Sequence, residues 1–450
     1  MEAIGRKIST FPVMERVVII GNGISGITAA RHIRKLTDFR ITVISEECDF
    51  FFSRTSLMYI YMGHLSVQDT EPYERNFWKK NRIDLVKDTV QLINPTDRHI
   101  VLSGSQVLEY DHLVIATGSR SRRGNWPGQE LNGVQSLYHY QDLLNLETNT
   151  HPWNADKDSR RVNRAVILGG GLIGVELAEM LMSRKIEVTY LVREDRFWGG
   201  VLPEQEGLLV TRQLAKHGVD VRINTELQEI MGNADGRVSA VKTNRGEIIP
   251  CEFVGITIGV EPNIAFLSGS GIDVGKGVLV DEYLRTNITG VYAIGDCAEV
   301  MQPREGRKSV EAVWYTGRMM GETVARNIAG LPTMYEPGIW FNSAKFFDIE
   351  YQIYGQVPSR IHDSSGSFYW EDPSGELAMR IVYDKYSRAL KGIHAFGLRL
   401  RQEVCENWIR NGTSIEKVMD EIHEANFNPE FSVNFEGEIK SSFMKGEAGS

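Results

Sequence analysis

One stretch near the start of the chain, RVVIIGNGISGITAARHIRKLTDFRITVISEE (residues 16–47), sets the architecture of its first domain. Residues 17–20 form an apolar run that predicts a buried strand, residues 24–36 have the apolar spacing of a helix, and residues 41–44 predict a second strand. The intervening turn carries a G-x-G-x-x-G motif. This order is typical of a dinucleotide-binding unit, in which the first glycine allows the turn, the second admits a pyrophosphate and the third allows close helix packing; they are Gly21, Gly23 and Gly26.

Acidic residues follow the second predicted strand, where dinucleotide-binding units hold the adenosine ribose. Ser45 occupies the usual first position, and Glu46 and Glu47 come directly after it. A glycine motif alone is moderate evidence, because glycine-rich turns between a strand and a helix also occur for packing reasons.

The same pattern returns in the middle of the chain, which strengthens the interpretation considerably. Residues 165–168 predict a strand, a second G-x-G-x-x-G motif follows at Gly169, Gly171 and Gly174, and a helix leads to a strand over residues 187–192. We therefore expect two dinucleotide sites, and hence two nucleotides, in one chain.

Length, charge and cysteine content limit the possible classes of protein. The 450 residues exceed what one core normally holds, so about three domains are expected. The net charge of -9 argues against a nucleic-acid or anionic-membrane partner. With neither a membrane-length apolar run nor a secretory signal pattern, we expect a soluble, cytoplasmic protein. The scattered cysteines lack metal-ligand spacing, which predicts a reducing compartment and no metal site; they are Cys48, Cys251, Cys297 and Cys405.

Further segments are candidates for cofactor contact. Arg54 is placed to reach a phosphate or ribose as a fixed cation. Residues 111–119 predict a buried strand running into a Thr–Gly turn that passes close to the cofactor, with Arg120 adding a phosphate contact. The residues of this turn are Ala116, Thr117 and Gly118. A short strand ends at Asp296, whose carboxylate suits a sugar-like hydroxyl.

The rest of the chain is predicted more coarsely. A separate α+β domain is expected from residue 331 onward. The predicted segments are a loose tail over 1–13, strands over 84–92 and 99–102, a surface loop or linker over 145–164, helices over 310–329, 401–410 and 415–422, strand-like alternation over 341–354 and 368–383, and a frayed end to the final segment, 432–450.

Taken together, the two glycine motifs, the ATGS of residues 116–119 and the AIGD of residues 293–296 resemble the pyridine-nucleotide disulfide oxidoreductase superfamily. The most similar branch includes NADH-dependent ferredoxin and rubredoxin reductases, the flavoprotein part of nitrite reductase large subunits, NADH oxidases and apoptosis-inducing factor. The resemblance implies an α/β fold with two Rossmann-like domains and a C-terminal α+β domain. The implied boundaries are 14–127 and 263–330 for the FAD-binding domain, 128–262 for the NAD(P)-binding domain and 331–450 for an interface domain.

The resemblance also assigns individual residues to FAD. Glu46 and Glu47 fall at the adenosine ribose, and Asp296 falls at the ribityl chain. The other positions are Gly21, Gly23, Ile24, Ser25 and Gly26 at the pyrophosphate, Arg54 at an FAD-contacting arginine, Val90 beside the adenine, and Ala312 and Val313 at the pyrimidine edge of the isoalloxazine.

In the second domain, the resemblance places Glu176 near flavin and nicotinamide, and Gly259 near the nicotinamide amide. The turn itself comprises Gly169, Gly171, Leu172, Ile173 and Gly174. From the residues alone, Glu194 at the ribose favours NADH, whereas Arg193 with Arg196 would receive the 2′-phosphate of NADPH. We favour NADH, and both assignments remain open.

Disulfide reductases of the superfamily carry paired cysteines shortly after the ribose contacts, but residues 50–61 contain none. We therefore expect an enzyme in which nicotinamide delivers hydride to the flavin and electrons leave without help from sulfur. Ferredoxin-reductase relatives usually have a lysine five residues after the arginine matching Arg54, where this chain has Tyr59. Glu176 and Tyr59 are the candidate catalytic residues.

Three hypotheses for the electron acceptor remain open. The first is a small acidic iron–sulfur protein such as ferredoxin or rubredoxin, docked by Arg120, Arg122 and Arg123 or by Arg399 and Arg401. The second is oxygen, a quinone or a nitrite-pathway partner. The third is a non-enzymatic protein, similar to apoptosis-inducing factor, in which flavin reduction changes the last domain. The oligomeric state, including a homodimer, is also left open.

Overall fold

The computed structural model of the chain describes residues 14–151, 162–428 and 434–447. The predicted tail over 1–13 and the end of the chain, 448–450, lie outside these residues. Within the described part, three five-stranded sheets organise the structure, and four smaller sheets accompany them. No described helix combines the length and the hydropathy that crossing a bilayer requires.

The regular elements are numbered in chain order. The strands are β1 Arg16–Ile20, β2 Arg40–Ser45, β3 Ile83–Lys87, β4 Val90–Asn94, β5 His99–Leu102, β6 Val107–Glu109, β7 His112–Ile115, β8 Ser119–Ser121, β9 Val134–Gln135, β10 Arg164–Leu168, β11 Glu187–Leu191, β12 Asp220–Arg222, β13 Leu227–Gly232, β14 Val238–Thr243, β15 Ile248–Pro250, β16 Phe253–Ile256, β17 Val260–Pro262, β18 Val278–Val280, β19 Val291–Ala293, β20 Ala298–Val300, β21 Phe341–Phe346, β22 Ile349–Gly355, β23 Ser365–Glu371, β24 Ala378–Asp384 and β25 Leu390–Phe396. The α-helices are α1 Ile24–Leu36, α2 Leu57–Tyr61, α3 Asn76–Lys80, α4 Tyr140–Thr150, α5 Leu172–Ser183, α6 Glu204–Lys216, α7 Trp314–Ile328, α8 Gln402–Arg410, α9 Ile415–Asp420 and α10 Glu436–Glu447.

The first sheet is parallel throughout, with strand order β19-β7-β1-β2-β3. Its central strand β1 is buried over its last four residues, as expected for a parallel strand covered on both faces. Four of its strands come from the first 115 residues, whereas β19 comes from much later in the chain. The chain between them therefore leaves this unit and returns to it.

Helices α1 and α7 of this unit approach each other through glycines. A Cβ on Gly317 would lie 2.5 Å from Oγ of Ser25, and a Cβ on Gly321 would lie 2.6 Å from the Ser25 carbonyl oxygen. Because both glycines lie on α7 four residues apart, they share one face of that helix. The contact brings the first turns of α1 and α7 side by side.

The second sheet repeats the parallel plan, with strand order β12-β11-β10-β16-β9. Strand β10 is buried over its last four residues, and α5 follows it directly after the second glycine turn. The repeated sequence motif thus produces a repeated strand–turn–helix unit.

The third sheet is antiparallel, with strand order β21-β22-β25-β24-β23, and α8, α9 and α10 accompany it. A buried ion pair joins it to the second unit, because Arg380 on β24 donates to both carboxylate oxygens of Glu206 on α6, at 2.5 and 2.9 Å. The α/β fold with two Rossmann-like units and a C-terminal α+β unit is confirmed. The exact domain boundaries remain predictions.

Several predicted elements are wrong in detail. The strand over residues 84–92 is two strands in different sheets, because the chain turns at Asp88, whose carboxylate accepts a hydrogen bond from the Thr89 backbone N–H. The predicted loop over 145–164 starts too early, because α4 continues to Thr150. The Thr150 hydroxyl is hydrogen-bonded to the Tyr61 hydroxyl. Residues 152–161 of this predicted loop lie outside the described part.

One helix prediction also needs correction, and one helix was not predicted from the sequence. The helix over 310–329 begins only at Trp314, since Val313 has an extended conformation. Much of the final segment is helical as α10, because Ile439 and Phe443 lie four residues apart and are both buried in the C-terminal core.

Candidate active site

A cavity of about 1110 Å³ lies where the two Rossmann-like units meet the C-terminal sheet. The first glycine turn forms one wall, the N-terminal turn of α5 forms another, and residues 342–345 of β21 complete the enclosure. Most of the candidate residues line it. They are Gly21, Gly23, Ile24, Ser25, Glu46, Glu47, Arg54, Tyr59, Val90, Ala116, Thr117, Gly118, Leu172, Ile173, Glu176, Asp296, Ala312 and Val313.

The first glycine turn has the shape that a pyrophosphate requires. Gly21 has φ +115°, and a Cβ there would lie 2.1 Å from the Ala116 carbonyl oxygen. Gly26 packs behind the turn, where a Cβ would lie 2.0 Å from the Gly21 carbonyl oxygen. At Gly23, by contrast, a Cβ would meet nothing within 4 Å, so the turn is open towards the cavity. The three glycines therefore fit their predicted roles in holding FAD.

Glu47 and Arg54 form an ion pair in the cavity wall. Arg54 donates to both Glu47 carboxylate oxygens, at 2.8 and 2.5 Å, and the Tyr140 backbone N–H donates to Glu47 at 2.7 Å. Burial alone would raise the pKa of Glu47, but hydrogen bonds from His139 and Arg54 outweigh it and lower the pKa to about 2. Glu46 is exposed and lines the cavity, so its carboxylate is the more accessible one for a ribose hydroxyl.

Asp296 is held by two hydroxyl groups. Its Oδ2 accepts hydrogen bonds from Ser119 Oγ at 3.1 Å and from the Tyr138 hydroxyl at 3.3 Å. Burial raises the pKa of Asp296. Because these donors both engage Oδ2, the other carboxylate oxygen has capacity for a ligand hydroxyl.

The structure does not bring Arg120, the predicted phosphate contact, into the cavity. Ser119, at the start of β8, is buried beside Asp296, and successive strand residues point to opposite faces. Arg120 therefore points outward, where its guanidinium donates to Glu261 at 2.9 Å, and it does not line the cavity.

The second glycine turn repeats the design of the first. Gly169 has φ +104°, with a Cβ position 2.5 Å from the Thr257 carbonyl oxygen, and a Cβ on Gly174 would lie 2.0 Å from the Tyr190 hydroxyl. These glycines, Gly171 and Gly259 lie outside the cavity lining, whereas Leu172 and Ile173 reach it. The second turn therefore lies beside the cavity and α5 points its first residues into it.

The charged side chains after β11 engage one another. Arg193 donates to Glu194 at 2.9 Å, and Arg196 donates to Asp195 at 2.8 Å and to the Gly199 carbonyl oxygen at 3.2 Å. None of these residues lines the cavity. Arg196 is mostly buried, and two of its three guanidinium nitrogens are hydrogen-bonded within the local loop.

Glu176 is the titratable group at the meeting point of the three units. Burial, followed by the nearby charge of Glu179, raises the pKa of Glu176 to about 7. Lys345 on β21 also lines the cavity, and its ammonium lies 3.5 Å from a Glu179 carboxylate oxygen. The C-terminal unit thus contributes a cation to a cavity whose lining also includes Arg54 and five carboxylate side chains.

None of the described residues that line the cavity is a cysteine. Cys48 is the partly exposed cysteine, but its thiol donates to the Phe50 carbonyl oxygen at 3.0 Å, and burial raises its pKa to about 11. Cys251, Cys297 and Cys405 are buried. A thiol with a raised pKa is a poor nucleophile at neutral pH.

Sequence reasoning missed several residues of the cavity. Tyr138 and Lys345 lie far from either glycine motif and reach the site only through tertiary packing. Trp314 and Tyr315 follow the predicted Ala312 and Val313, line the cavity and are 36% and 38% exposed. A stretch of aromatic residues next to a predicted helix start was the available signal, but it equally suits an ordinary core.

Comparison with known proteins agrees with this geometry. Residues 15–321 match the family described as pyridine nucleotide-disulphide oxidoreductase. The chain is 31% identical to rhodocoxin reductase from Rhodococcus erythropolis over 337 residues, covering 73% of this chain and 76% of that protein. It is 27% identical to nitrite reductase [NAD(P)H] from Bacillus subtilis (strain 168), covering 63% of this chain and 34% of that protein, so it spans about a third of this longer relative.

Among solved structures, a ferredoxin reductase from Rhodopseudomonas palustris superposes with a TM-score of 0.76 at 23% identity, covering 85% of this chain and 91% of that one, which shows a shared fold. The match of the family over most of the chain, together with two glycine turns around one cavity, carries the conclusion. The chain belongs to the pyridine nucleotide-disulphide oxidoreductase family and is an enzyme that uses FAD and NAD(P)H.

Proposed function

We propose that the protein is an NADH-dependent flavoprotein reductase that passes electrons to a small iron–sulfur protein. The observation that carries the proposal is a cavity joining both nucleotide-binding units with no cysteine in its lining. A flavin bound there supplies a hydride acceptor that can release its electrons singly. The residues of this chain bind and orient the two cofactors, and sulfur takes no part.

On the flavin side, each contact follows from the geometry of the wall. The first turn of α1 presents backbone N–H groups to the pyrophosphate, Glu46 receives the adenosine ribose, and Asp296 accepts a ribityl hydroxyl. Ala312 and Val313 line the cavity and immediately precede α7, so the positive end of that helix would face the pyrimidine edge of a flavin bound there. This is where negative charge develops when the flavin is reduced, and the dipole stabilises it.

On the nicotinamide side, the second glycine turn holds the pyrophosphate, and Gly259 leaves room for the nicotinamide amide. Gly259 has φ +104°, and a Cβ there would meet nothing within 4 Å. Glu176 lies between the two cofactors, and with a pKa of about 7 it is present in both protonation states at neutral pH. Tyr59 also lines the cavity, so its ring would be available to contact a nicotinamide bound there.

The contacts after β11 favour NADH over NADPH. Arg196 is engaged by Asp195 and by the Gly199 carbonyl oxygen, and Arg193 is engaged by Glu194. Arg196 is mostly buried in its loop, whereas Glu194 is 38% exposed and, although Arg193 engages its Oε1, keeps a second carboxylate oxygen for ribose hydroxyls.

Relatives that include rhodocoxin reductase support a small electron carrier as the partner. The basic clusters expected to dock it are largely compensated, since Arg120 pairs with Glu261, Arg123 with Glu130, and Arg399 with Glu350. Trp314 and Tyr315 instead form the accessible edge of the cavity. We place the approach of the carrier at this aromatic edge.

Anaerobic stopped-flow spectroscopy tests the proposal in two steps. The flavin should be reduced faster by NADH than by NADPH, and the reduced protein should be reoxidised faster by ferredoxin or rubredoxin than by oxygen. Trp314→Ala should slow reoxidation by the carrier and leave reduction by NADH unchanged, whereas Tyr386→Phe, at a residue 89% exposed outside the cavity lining, should change neither rate. Rapid reaction with oxygen alone would indicate an oxidase, and a reduced state stable towards every acceptor would indicate a redox-responsive protein; both outcomes contradict the proposal.

A further inference from the structure

The two glycine turns differ at the position that a pyrophosphate approaches. In the first turn a Cβ on Gly23 would meet nothing within 4 Å, whereas in the second turn a Cβ on Gly171 would lie 3.9 Å from Nε1 of Trp198. The second glycine of such a motif is the one whose missing side chain admits the pyrophosphate. An indole nitrogen therefore lies directly beside the phosphate path of the second turn.

Trp198 is held in this position from several directions. Its carbonyl oxygen accepts hydrogen bonds from the backbone N–H groups of Val201 and Leu202, at 2.8 and 2.9 Å. Its ring packs edge-on against Phe346 and Tyr351 of the C-terminal sheet, with centroid distances of 6.3 and 6.2 Å. The indole is therefore fixed before any nucleotide binds.

The backbone at Trp198 is unusual as well. It has φ +50°, a left-handed conformation that bulky residues rarely adopt and that costs about 1 kcal/mol or more. The surrounding contacts enforce this conformation, which directs the ring towards the second glycine turn.

The polar end of the ring is uncommitted. Within residues 14–151, 162–428 and 434–447, the Trp198 indole N–H has no recorded hydrogen-bond acceptor, and it is not among the buried unpartnered polar atoms, so it is accessible to a ligand. A pyrophosphate oxygen at the second turn would supply an acceptor, and an indole N–H can only donate.

We propose that the indole N–H of Trp198 donates a hydrogen bond to the pyrophosphate of the bound nicotinamide nucleotide. The inference rests on the proposed function, in which the second glycine turn holds that nucleotide. It makes Trp198 a binding residue that the glycine motif does not include. Since its ring packs on Phe346, the C-terminal sheet then contributes to nucleotide affinity through Trp198.

Trp198→Phe tests the inference, because it keeps an aromatic ring and removes the N–H. The ligand is ADP-ribose, which carries the pyrophosphate but no nicotinamide, and its affinity is measured by calorimetry with the FAD-loaded protein. A hydrogen bond to a charged group predicts a loss of about tenfold or more. Trp340→Phe is the matched control, because Trp340 is also partly buried but its ring lies under the Arg307 guanidinium. The affinity of the Trp340→Phe protein for ADP-ribose should equal that of the parent protein.

Three results would overturn the inference. Affinity of Trp198→Phe within about twofold of the parent protein would show that the N–H makes no such bond, and tighter binding would show that the ring obstructs the turn. If the parent protein binds neither ADP-ribose nor NADH, the proposed function is wrong as well. This third result therefore distinguishes a failure of the proposed function from a failure of the Trp198 inference alone.

A second measurement needs no variant. In isotope-labelled protein, one of the eight tryptophan indole N–H signals should move downfield when ADP-ribose is added. If none of these signals moves although ADP-ribose binds, the inference is wrong.

Discussion

Replacement of Glu176 by glutamine should stabilise the folded protein at alkaline pH. The carboxyl lies in the cavity wall, where burial and the charge of Glu179 raise its pKa to about 7 from the ordinary 4.5. Because the ionised form is disfavoured in the fold, the folded protein loses stability as pH rises between these two values. Glutamine has nearly the same shape and carries no charge to bury.

The size of the gain follows from the same pKa values. Each pH unit between the unfolded and folded pKa corresponds to about 1.4 kcal/mol, so ionised Glu176 costs the folded protein about 3 kcal/mol. Glu176→Gln should therefore be more stable by about 3 kcal/mol at about pH 8. The gain should shrink through pH 7 and vanish towards pH 4, where the parent carboxyl is protonated in both states.

Urea unfolding followed by fluorescence at several pH values measures this difference. Glu305→Gln is the matched control, because Glu305 is exposed and outside the cavity, and its stability should follow that of the parent protein at every pH. A Glu176→Gln protein that is less stable than the parent at pH 8, or whose gain does not change with pH, would refute this account of the Glu176 environment.

Three further substitutions test other parts of the site. Glu47→Gln should lower the free energy of unfolding by about 3 kcal/mol at neutral pH, because it leaves Arg54 without its charged partner. Since the pKa of Glu47 is lowered to about 2, this difference, measured by urea unfolding, should diminish as pH falls from 4.5 towards 2. A difference that persists at about pH 2 would contradict this assignment of the ion pair. Cys48→Ser should leave the stopped-flow rate of flavin reduction by NADH unchanged, because burial raises the pKa of that thiol to about 11; a large loss of rate would restore a role for sulfur. Asp296→Asn should weaken the affinity for FAD about tenfold, because the charged acceptor for a ribityl hydroxyl is lost. Release of FAD on dilution, followed by flavin fluorescence, measures this affinity, and an unchanged affinity would place the ribityl chain elsewhere.

The parts of the site predicted from sequence are those with strict local requirements. A pyrophosphate turn needs glycine at fixed spacing, so Gly21, Gly23 and Gly26 indicated both the fold and its first ligand. The repeated motif at Gly169 did the same for the second unit. The motif carries this information because a Cβ at Gly21 or Gly169 would collide with backbone from a neighbouring strand.

Residues that act through tertiary contacts were not predictable in this way. Arg54 and Glu47 each fit a ligand contact when considered alone, but the fold pairs them with each other. The orientation of Arg120 depends on the alternation of a three-residue strand, which the local sequence does not reveal. Tyr138 and Lys345 enter the cavity from elements distant in sequence, and neither has a local motif.

The central claim is that flavin in this cavity exchanges electrons without a thiol partner, and an anaerobic reductive titration tests it most directly. With NADH or dithionite as the reductant, the account predicts that the FAD-loaded protein takes up about two electrons per flavin, the capacity of the flavin alone. Uptake of about four electrons per flavin, as from a flavin together with a disulfide, would contradict it.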